Sequence, residues 1–382
     1  MTHCRPAMHQ YSLIGYATGT LGPHVMRPII RPVSNRTVCT LYDVARMAGV
    51  STATVSRVVH GQDRVRPATR QRVLQVIEAL GYVPDGAAQS MALQRKEVIG
   101  LACIESRSPD TDVEQEGLLF IEEVLRGVER ALLQAEWPVL MCVLRAADRP
   151  GAHRYLQKIS AKVDGMLIAE GILGSEQLAS LAARTPIVLV AGPADEPHAD
   201  VVAADNRAGT VALARHMIEE HGRASLFYIA GPQEAPDARE RRSAFEQTLV
   251  QYPGVTLTGC FVGQFASISG QLAVREILAA PDRRLPDAII CGNDQMAIGA
   301  IRELQAAGLR VPADIAVAGF DDIRLGALLT PPLTTVRQPM RLLGERACCM
   351  LLERIAGPAL PRRVERLPTE LIVRESCGCP HR

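Results

Sequence analysis

Residues 40–59 constrain the fold more than any other stretch, because their pattern fits two short helices joined by a tight turn. Thr40 can cap the first helix, and Asp43 follows at capping-box spacing. Gly49 breaks that helix, and Ser51 can cap the second. Apolar residues recur at helical spacing in both helices, at Leu41, Val44, Ala45, Ala48, Val55, Val58 and Val59. The stretch is therefore predicted to be a helix-turn-helix.

The outer face of the second helix carries small polar residues and an arginine, which suits a reader of the DNA major groove. The alternative is an ordinary helical hairpin whose outer face is solvated. The surrounding sequence favours the DNA reader, because Pro67 opens a third helix whose apolar face is Val73, Val76, Ile77 and Leu80. Residues 1–96 hold twelve lysines and arginines against four acids, while the whole chain carries a net charge of +1. A basic first segment on an acidic remainder fits a polyanionic partner for that segment alone.

Residues 40–100 resemble, in order and without gaps, the DNA-binding head and hinge of the lac repressor (LacI/GalR) family. The resemblance implies a homodimer on a near-palindromic double-stranded DNA operator. It also assigns base reading to three positions, Thr52, Ala53 and Arg57, of which only the arginine can bridge guanine O6 and N7. Short hydroxyls near the helix ends suit phosphates, at Ser51, Thr54 and Ser56. We expect Arg64 and Arg66 in the following loop to contact the DNA backbone.

Residues 84–97 match the family's hinge. A helix this short is marginal in water until something packs on it. In the family the hinge helix forms only when two hinges pair in the minor groove, where an apolar side chain wedges between base pairs. The matching position is Met91, where leucine is usual. The alternative is a plain linker.

From Val98 to residue 318, short apolar strands alternate with helical segments. This alternation predicts a doubly wound parallel α/β body, and its length fits two sheets better than one. The resemblance implies a bilobed periplasmic-binding-protein-like fold in which the chain crosses between lobes three times. The expected divisions are a disordered basic tail 1–38, a small all-α head 39–83, a hinge 84–97, a body 98–376 (first lobe 98–222 and 340–366, second lobe 223–330 and 367–376) and a tail 377–382.

The strand ends of the body predict a ligand site, because open α/β sheets bind ligands at the carboxyl ends of their strands. The resemblance implies effector contacts at Arg241, Phe265, Asn293 and Asp321. Their chemistry suits a sugar or related metabolite. The guanidinium donates paired hydrogen bonds and the asparagine amide both donates and accepts. The aspartate carboxylate accepts from hydroxyls, and the phenylalanine ring stacks on the ligand. The alternatives are that Asn293 is a helix cap and Asp321 an ion-pair partner. We also expect Asp205 and Asn206 to help from the first lobe. The acidic loop 105–117 is expected to be solvated; acids of this loop that face the cleft would disfavour an anionic effector.

Two other functional classes fit less well. A solute-binding protein for transport would need a signal peptide and no basic head, and residues 1–25 lack a clean apolar block. An enzyme is disfavoured, because the chain contains no phosphate-binding loop, no G-x-G-x-x-G and no G-x-S-x-G motif.

Ten scattered cysteines without a C-x-x-C pair predict reduced, buried or tail thiols in a cytoplasmic protein, with no metal and no cofactor; the alternative is metal binding or disulfides. The closest spacings are Cys348-Cys349 and Cys377-Gly-Cys379. No apolar run reaches the roughly 20 residues of a membrane helix. No leucine heptads follow the body, so we expect a homodimer rather than a tetramer. The family implies a start only a few residues before residue 40, so we expect the native start downstream of Met1. The alternative is a basic arm that adds phosphate contacts, and the intact mass would decide.

Overall fold

The computed structural model describes residues 39–59, 64–82, 95–105, 119–133, 135–145, 148–169, 171–280 and 285–380. The chain divides into two compact units, residues 1–84 and 85–382, which we call the head and the body. The expected tail 1–38, most of the expected hinge with Met91, and most of the acidic loop lie outside the described residues. Among the helices that are described, none combines the length and the apolar character needed to cross a bilayer.

The head consists of three helices, α1 (Leu41–Ala48), α2 (Thr52–Val59) and α3 (Pro67–Leu80). The backbone N–H and the hydroxyl of Thr40 both donate to Asp43 Oδ2, at 3.0 and 2.7 Å. The hydroxyl hydrogen bond is the main reason that the pKa of the Asp43 carboxyl lies below its usual value. Gly49 ends α1 in the left-handed region, with φ 63°, and so turns the chain into α2.

All three helices of the head contribute to one apolar core. The buried residues of this core are Val44, Ala45, Ala48, Val55, Val58, Val73 and Tyr82. The remaining predicted apolar positions, including Leu41 and Val59, pack partly buried against it. The predicted helix-turn-helix is thus confirmed, and its apolar face lies where the periodicity placed it.

The body alternates strands and helices along most of its length. In chain order it contains β1 (Ile99–Glu105), α4 (Leu119–Leu132), β2 (Val139–Arg145), α5 (Arg149–Ser160), β3 (Gly165–Ala169), α6 (Ser175–Ala182), β4 (Ile187–Val190), β5 (Asp200–Ala204), α7 (Asn206–Arg215) with a π turn (His216–Glu220), β6 (Ser225–Ala230), α8 (Pro236–Leu249), β7 (Thr256–Val262), α9 (Ser267–Ala279), β8 (Ala288–Cys291), α10 (Asp294–Ala306), β9 (Ala316–Ala318), β10 (Thr335–Arg337), α11 (Met340–Ala356), β11 (Val364–Leu367) and β12 (Glu370–Ile372).

Each lobe is built on one parallel sheet with helices on both faces. The first lobe has six strands in the order β11-β5-β4-β3-β1-β2, and the second has four in the order β7-β6-β8-β9. In the first lobe, α5 and α6 pack on one face and α4 and α11 on the other. In the second lobe, α9 and α10 cover one face and α7 and α8 the other. The predicted pair of doubly wound sheets is confirmed.

The chain crosses between the lobes three times: from β5 to α7, from β10 to α11, and from β11 to β12. The crossings lie side by side, because Asp205 N–H donates to Leu367 O at 2.8 Å and the Thr369 hydroxyl donates to Asp205 O at 3.0 Å. The antiparallel pair β10 and β12 lies at these crossings. This arrangement agrees with the three crossings that the resemblance implied.

Two expected boundaries differ from the structure. Residues 206–222 were assigned to the first lobe, but Leu213 and Met217 are buried in the core of the second. Residue 377 was assigned to a tail, yet Cys377 is fully buried in that same core. The second error arises because Cys377 contacts His216, 161 residues earlier in the chain, and local periodicity carries no sign of such a contact.

Glycines allow two helix pairs to approach closely, one pair in each lobe. A Cβ at Gly299 in α10 would lie 1.8 Å from Ser267 O of α9, and one at Gly270 would lie 1.9 Å from Met296 O. Gly127 and Gly344 have the same relation in the first lobe, with distances of 1.9 and 2.0 Å to backbone oxygens of α11 and α4. These oxygens belong to the backbone, so they cannot rotate away as a side chain could.

We therefore expect Gly299→Ala to destabilise the body by about 1–3 kcal/mol, the usual cost of overpacking a core. Gly151 in α5 is the matched control, because nothing lies within 4 Å of a Cβ built there. Gly151→Ala should be neutral or stabilise by up to about 1 kcal/mol, since alanine favours helices. Urea unfolding followed by circular dichroism measures both. Equal effects at the two positions would contradict the proposed close approach.

Candidate functional site

The first candidate site is the outer face of α2 in the head. Ser51 caps this helix: the Thr54 N–H donates to Ser51 Oγ at 3.2 Å, and the two hydroxyl oxygens lie 2.9 Å apart. Ala53 and Arg57 are exposed, while Thr52 and Ser56 are half-buried. These four residues occupy the helix face opposite buried Val55 and Val58. The structure thus brings the expected base-reading positions together on one accessible surface.

The other expected DNA-contacting residues flank this face. Arg64 and Arg66 are exposed just before α3. Ser51 and Thr54 lie at the amino-terminal end of α2, where a helix dipole and free N–H groups favour an anion. A helix that presents hydroxyls at its start and an arginine in its last turn can place the hydroxyls on phosphates and the arginine on base edges. Met91 lies outside the described residues.

The second candidate site is a cavity of about 310 Å³ between the two lobes of the body. The first lobe contributes mainly apolar side chains, including Ile104, Phe120 and Ile121, together with Arg149. The second lobe contributes most of the polar groups. The cavity residues of the second lobe include all four expected effector-contacting residues, Arg241, Phe265, Asn293 and Asp321.

Arg241 is the centre of a buried hydrogen-bond network at this cavity. Its side chain is only 3% exposed and stacks on Phe320, with Cζ 3.8 Å from the ring centroid. It donates from Nε to Asn206 Oδ1 at 2.8 Å and from Nη1 to Gly292 O at 2.7 Å. Its charge is balanced by two carboxylates, Asp237 at 3.3 Å and Asp321 at 3.5 Å. Arg241 therefore holds several strand ends together as well as lining the cavity.

Asp321 combines burial with a backbone conformation that side chains rarely adopt. Its φ is 125°, and its N–H donates to Val336 O at 2.7 Å. Its carboxylate accepts from Gln338 Nε2 at 2.6 Å in addition to Arg241. Burial raises the pKa of Asp321 to about 7 although Arg241 opposes the shift. A strained, largely buried carboxylate at a cavity is the kind of group that occurs at binding sites.

Asn293 is a helix cap, as the alternative interpretation proposed, and it also positions Phe265. Its Oδ1 accepts from Met296 N–H at 3.0 Å at the start of α10, and its Nδ2 donates to Phe265 O at 3.0 Å. That hydrogen bond holds Phe265 in the left-handed region, with φ 59°. Gly231 gives the ring its space, since a Cβ there would lie 2.3 Å from the ring.

The neighbouring acids have structural partners. Asp294 is fully buried and accepts from Ile323 N–H at 2.9 Å and from the Thr335 hydroxyl at 2.5 Å. Burial, assisted by the nearby Asp321 charge, raises the pKa of Asp294 to about 8. Asp322 forms ion pairs with Arg337 and Arg374, at 2.7 and 2.5 Å. Asp321 therefore faces the cavity, whereas Asp322 ties the crossing segment to the second lobe.

Asp205 and Asn206 do not line the cavity, contrary to expectation. Asp205 caps α7 by accepting from Ala208 N–H at 3.0 Å. Asn206 is fully buried and donates to Asp237 Oδ1 at 2.8 Å while it accepts from Arg241. Its role is to orient the guanidinium. The expectation was wrong because the pair was placed in the first lobe, whereas Asn206 begins a helix of the second.

Sequence reasoning missed several polar residues of the cavity, including Glu234, Gln264, Gln295, Arg149 and Gln338. Arg149 Nε and Gln338 Oε1 are buried and have no hydrogen-bond partner among the described residues. A buried donor and a buried acceptor that both lack partners destabilise the unliganded protein, so a ligand could satisfy them. No local pattern marks either residue: Arg149 begins α5, and Gln338 lies in a crossing segment.

Within the described part of the chain, one group of four side chains has the chemistry to hold a metal ion: His216, His221, Cys377 and Cys379. The group lies in the second lobe, at the end of α7 opposite Asn206. It does not line the cavity.

Comparison with known proteins relates both units to one family. The family model described as "Bacterial regulatory proteins, lacI family" matches residues 40–85, and that described as "Periplasmic binding protein-like domain" matches residues 214–377. The transcriptional repressor PurR of Aliivibrio fischeri is 34% identical over 344 residues, which cover 89% of this chain and 98% of that protein. The ribose operon repressor of Escherichia coli is 33% identical over 347 residues, which cover 89% of this chain and all of that protein.

Solved structures with similar folds include the lac repressor dimer bound to operator and the anti-inducer ONPF. It has a TM-score of 0.77, is 27% identical, and covers 89% of this chain and 99% of its own. The complex of the transcriptional regulator CelR with cellobiose has a TM-score of 0.63 and 31% identity, and covers 88% of this chain and 99% of its own.

Proposed function

The chain belongs to the lacI family of bacterial regulatory proteins, and on that premise we propose which of its residues read DNA and which bind the effector. It is a sequence-specific DNA-binding transcriptional regulator whose operator affinity is controlled by a small molecule bound between two lobes. One observation carries this conclusion: a capped helix-turn-helix and an interlobe cavity with two unpartnered polar atoms occur in the same chain. Because the relatives are named repressors, we propose that this regulator represses.

For the head, we propose that Thr52, Ala53 and Arg57 face base edges, and that Ser51, Thr54, Ser56 and Arg64 contact phosphates. The exposure of Ala53 and Arg57 supports this division, as does the cap position of Ser51. Two heads of a homodimer would read the two halves of a near-palindromic operator. We propose that Met91 of each hinge wedges into the minor groove between them.

We expect Arg57→Ala to weaken binding to the cognate operator by about 1–3 kcal/mol and to change binding to random DNA little. The reason is that a bidentate contact to guanine carries sequence information, whereas a phosphate contact does not. Arg64→Ala is the contrasting variant: it should weaken both DNAs similarly and reduce the salt dependence. Fluorescence anisotropy at several salt concentrations measures the affinity of each variant for the operator and for random DNA. Equal losses on both DNAs for Arg57→Ala would assign that arginine to the backbone.

For the body, we propose that the effector is a sugar or a related small metabolite held by Arg241, Phe265, Asn293 and Asp321. We add Arg149 and Gln338, whose unpartnered Nε and Oε1 would donate to and accept from the ligand. The cavity volume of about 310 Å³ lies at the lower end for small-molecule sites. Apolar side chains line one wall and polar groups the other, which suits the two faces of a sugar ring. The relatives' names point the same way, since one controls a ribose operon and another binds cellobiose.

A thermal-shift panel of D-ribose, cellobiose, other sugars and polyols, and nucleobases tests the effector class. A ligand at 100 times its Kd adds about 2.7 kcal/mol of stability, enough to shift the melting of the body by several degrees. The Arg149→Met variant should lose the shift produced by any true cavity ligand. A shift that persists in this variant would place the ligand elsewhere, and silence across the panel would contradict the proposed effector class.

We also propose that the protein is not an enzyme and that it acts in the cytoplasm, where its operator DNA lies. The cavity supports the first point. The Arg241 guanidinium forms ion pairs there with the Asp237 and Asp321 carboxylates, so the charged groups serve to hold one another in place.

A further inference from the structure

Four side chains distant in sequence converge at one point of the second lobe. His216 Nε2 lies 3.3 Å from His221 Nε2 and 3.4 Å from Cys377 Sγ. Cys379 Sγ lies 3.4 Å from His221 Nε2 and 3.9 Å from His216 Nε2. All four atoms lie within 4.8 Å of one another. Two imidazole nitrogens and two sulfurs therefore surround a common centre.

Two irregular backbone segments produce this convergence. The π turn His216–Glu220 follows α7. In a regular α-helix, residues five apart would lie about 140° apart around the axis, so the two histidines would diverge. The wider π turn lets both rings point to the same side, and such turns occur frequently at functional sites. On the other segment, Gly378 adopts φ 116°, which lets the cysteines on either side of it point to the same centre.

The separations fit tetrahedral coordination. Zinc–nitrogen bonds of about 2.0 Å and zinc–sulfur bonds of about 2.3 Å place the ligands of a tetrahedral ion about 3.3 Å apart for two nitrogens and about 3.5 Å apart for nitrogen and sulfur. The observed N···N distance is 3.3 Å, three of the four N···S distances are 3.4, 3.4 and 3.9 Å, and the remaining separations are within 4.8 Å. A tetrahedral set of two sulfurs and two nitrogens is characteristic of zinc, whereas magnesium and calcium prefer oxygen ligands.

We propose that His216, His221, Cys377 and Cys379 bind one Zn²⁺ ion per chain, through both Nε2 atoms and both sulfurs. Binding releases one proton from each thiol, so the two thiolates neutralise the charge of the ion. Four protein ligands leave no open position, so the site is structural rather than catalytic. The ion cross-links the end of α7 to segment 375–379. Because α7 begins at Asn206, which orients Arg241, the cross-link steadies the helix that supports the effector site. This proposal replaces the expectation of reduced tail thiols without a metal.

The segment that carries the cysteines has other anchors, so removal of one ligand should leave the protein folded. The Thr334 N–H donates to Ser376 Oγ at 2.8 Å, and that hydroxyl donates to Val317 O at 2.6 Å. Cys379 and His221 are only half-buried. Cys379→Ser and His221→Asn are therefore the variants of choice. Cys349→Ser, which changes a half-buried thiol on α11 outside the group, is the matched control.

The test measures zinc by elemental analysis in the full-length protein, purified without added chelator and then titrated with ZnCl₂ against a chromogenic chelator. We expect one zinc per chain in the wild type and in Cys349→Ser. In Cys379→Ser and His221→Asn, zinc affinity should fall by more than about 100-fold, beyond the loss typical of a second-shell partner. Substitution by Co²⁺ should give the absorption of a tetrahedral thiolate site in the wild type and in Cys349→Ser, but not in Cys379→Ser or His221→Asn.

A second readout separates coordination from mere loss of packing. Removal of the metal with 1,10-phenanthroline should lower the melting temperature of the wild type by several degrees and leave Cys379→Ser unchanged. Three results would overturn the proposal. They are a zinc-free wild type that takes up no Zn²⁺, a Cys377–Cys379 disulfide in the intact mass measured under non-reducing conditions, and equal zinc binding by Cys379→Ser and the wild type.

Discussion

Replacing Asp321 by alanine is expected to abolish the response of operator affinity to the effector while operator binding itself persists. The carboxylate lies at the cavity, accepts from Gln338 and is the group best placed to accept ligand hydroxyls. Loss of a hydrogen bond to a charged group costs about 1.5–3 kcal/mol, so effector affinity should fall about 10- to 150-fold. Coupling in such regulators typically amounts to 5- to 150-fold in affinity, and Asp321→Ala should lose this response at effector concentrations that just saturate the wild type.

The measurement is operator binding with and without the effector identified in the thermal-shift panel. Asp321→Asn serves as the second variant, because asparagine tolerates positive φ and keeps an acceptor for Gln338 while it removes the charge. Asp314→Ala is the matched control, since this acid pairs with Arg310 on the surface at 2.8 Å. It should respond like the wild type. A fully responsive Asp321→Ala would remove Asp321 from the effector site.

Replacing Arg241 by methionine is expected to destabilise the body by about 3–5 kcal/mol, the usual effect of leaving buried charges without their partner. The substitution removes the hydrogen bonds to Asn206 and Gly292 and leaves Asp237 and Asp321 without their cation. Arg242→Met is the matched control. Arg242 is the next residue of the same helix, is 38% exposed and pairs with Glu246, at 2.8 Å. Its loss should cost less than about 1 kcal/mol. Urea unfolding of both variants measures the difference.

The loss of stability caused by Arg241→Met should depend on pH. Burial raises the pKa of Asp237 to about 6 and that of Asp321 to about 7 even with Arg241 present, and loss of the guanidinium would raise both further. When the folded-state pKa of a carboxyl group lies above its unfolded-state pKa, the folded protein becomes less stable as pH rises towards the folded-state pKa. The difference in stability between variant and wild type should thus be smaller at pH 5 than at pH 8. A deficit that is constant over this range would argue against unpaired carboxylates as its cause.

The regular part of the fold could be predicted because its signals are local. Alternating apolar and helical segments located β1 to β9 and the helices between them, and Thr40, Gly49 and Ser51 marked the turns of the head. Strands β10, β11 and β12 were missed, since each contains charged residues and none forms the short apolar run that marked the other strands. The partner of β11 is β5, more than 150 residues earlier in the chain, so nothing near β11 in sequence signals the pairing.

The candidate sites likewise contain residues that the sequence could predict and residues that it could not. The family positions Arg241, Phe265, Asn293 and Asp321 line one cavity, because the carboxyl ends of parallel strands meet at one edge. Their supporting partners could not be foreseen. Asn206 lies 35 residues from Arg241, and His216 lies 161 residues from Cys377. Contacts of this kind depend on the assembled lobes rather than on spacing. The same applies to the unpartnered atoms of Arg149 and Gln338.

The three crossings have a consequence for biosynthesis. Residues 39–82 form a contiguous unit with its own core, so the head can fold soon after it leaves the ribosome. The body cannot fold so early. The first lobe needs α11 and β11 to complete its core and sheet, and the second lobe needs β12 and Cys377. A nascent chain therefore carries a competent DNA-binding module long before either lobe is complete. Translation that stops before residue 340 would release a chain with a folded DNA-binding head but without a complete effector-binding body.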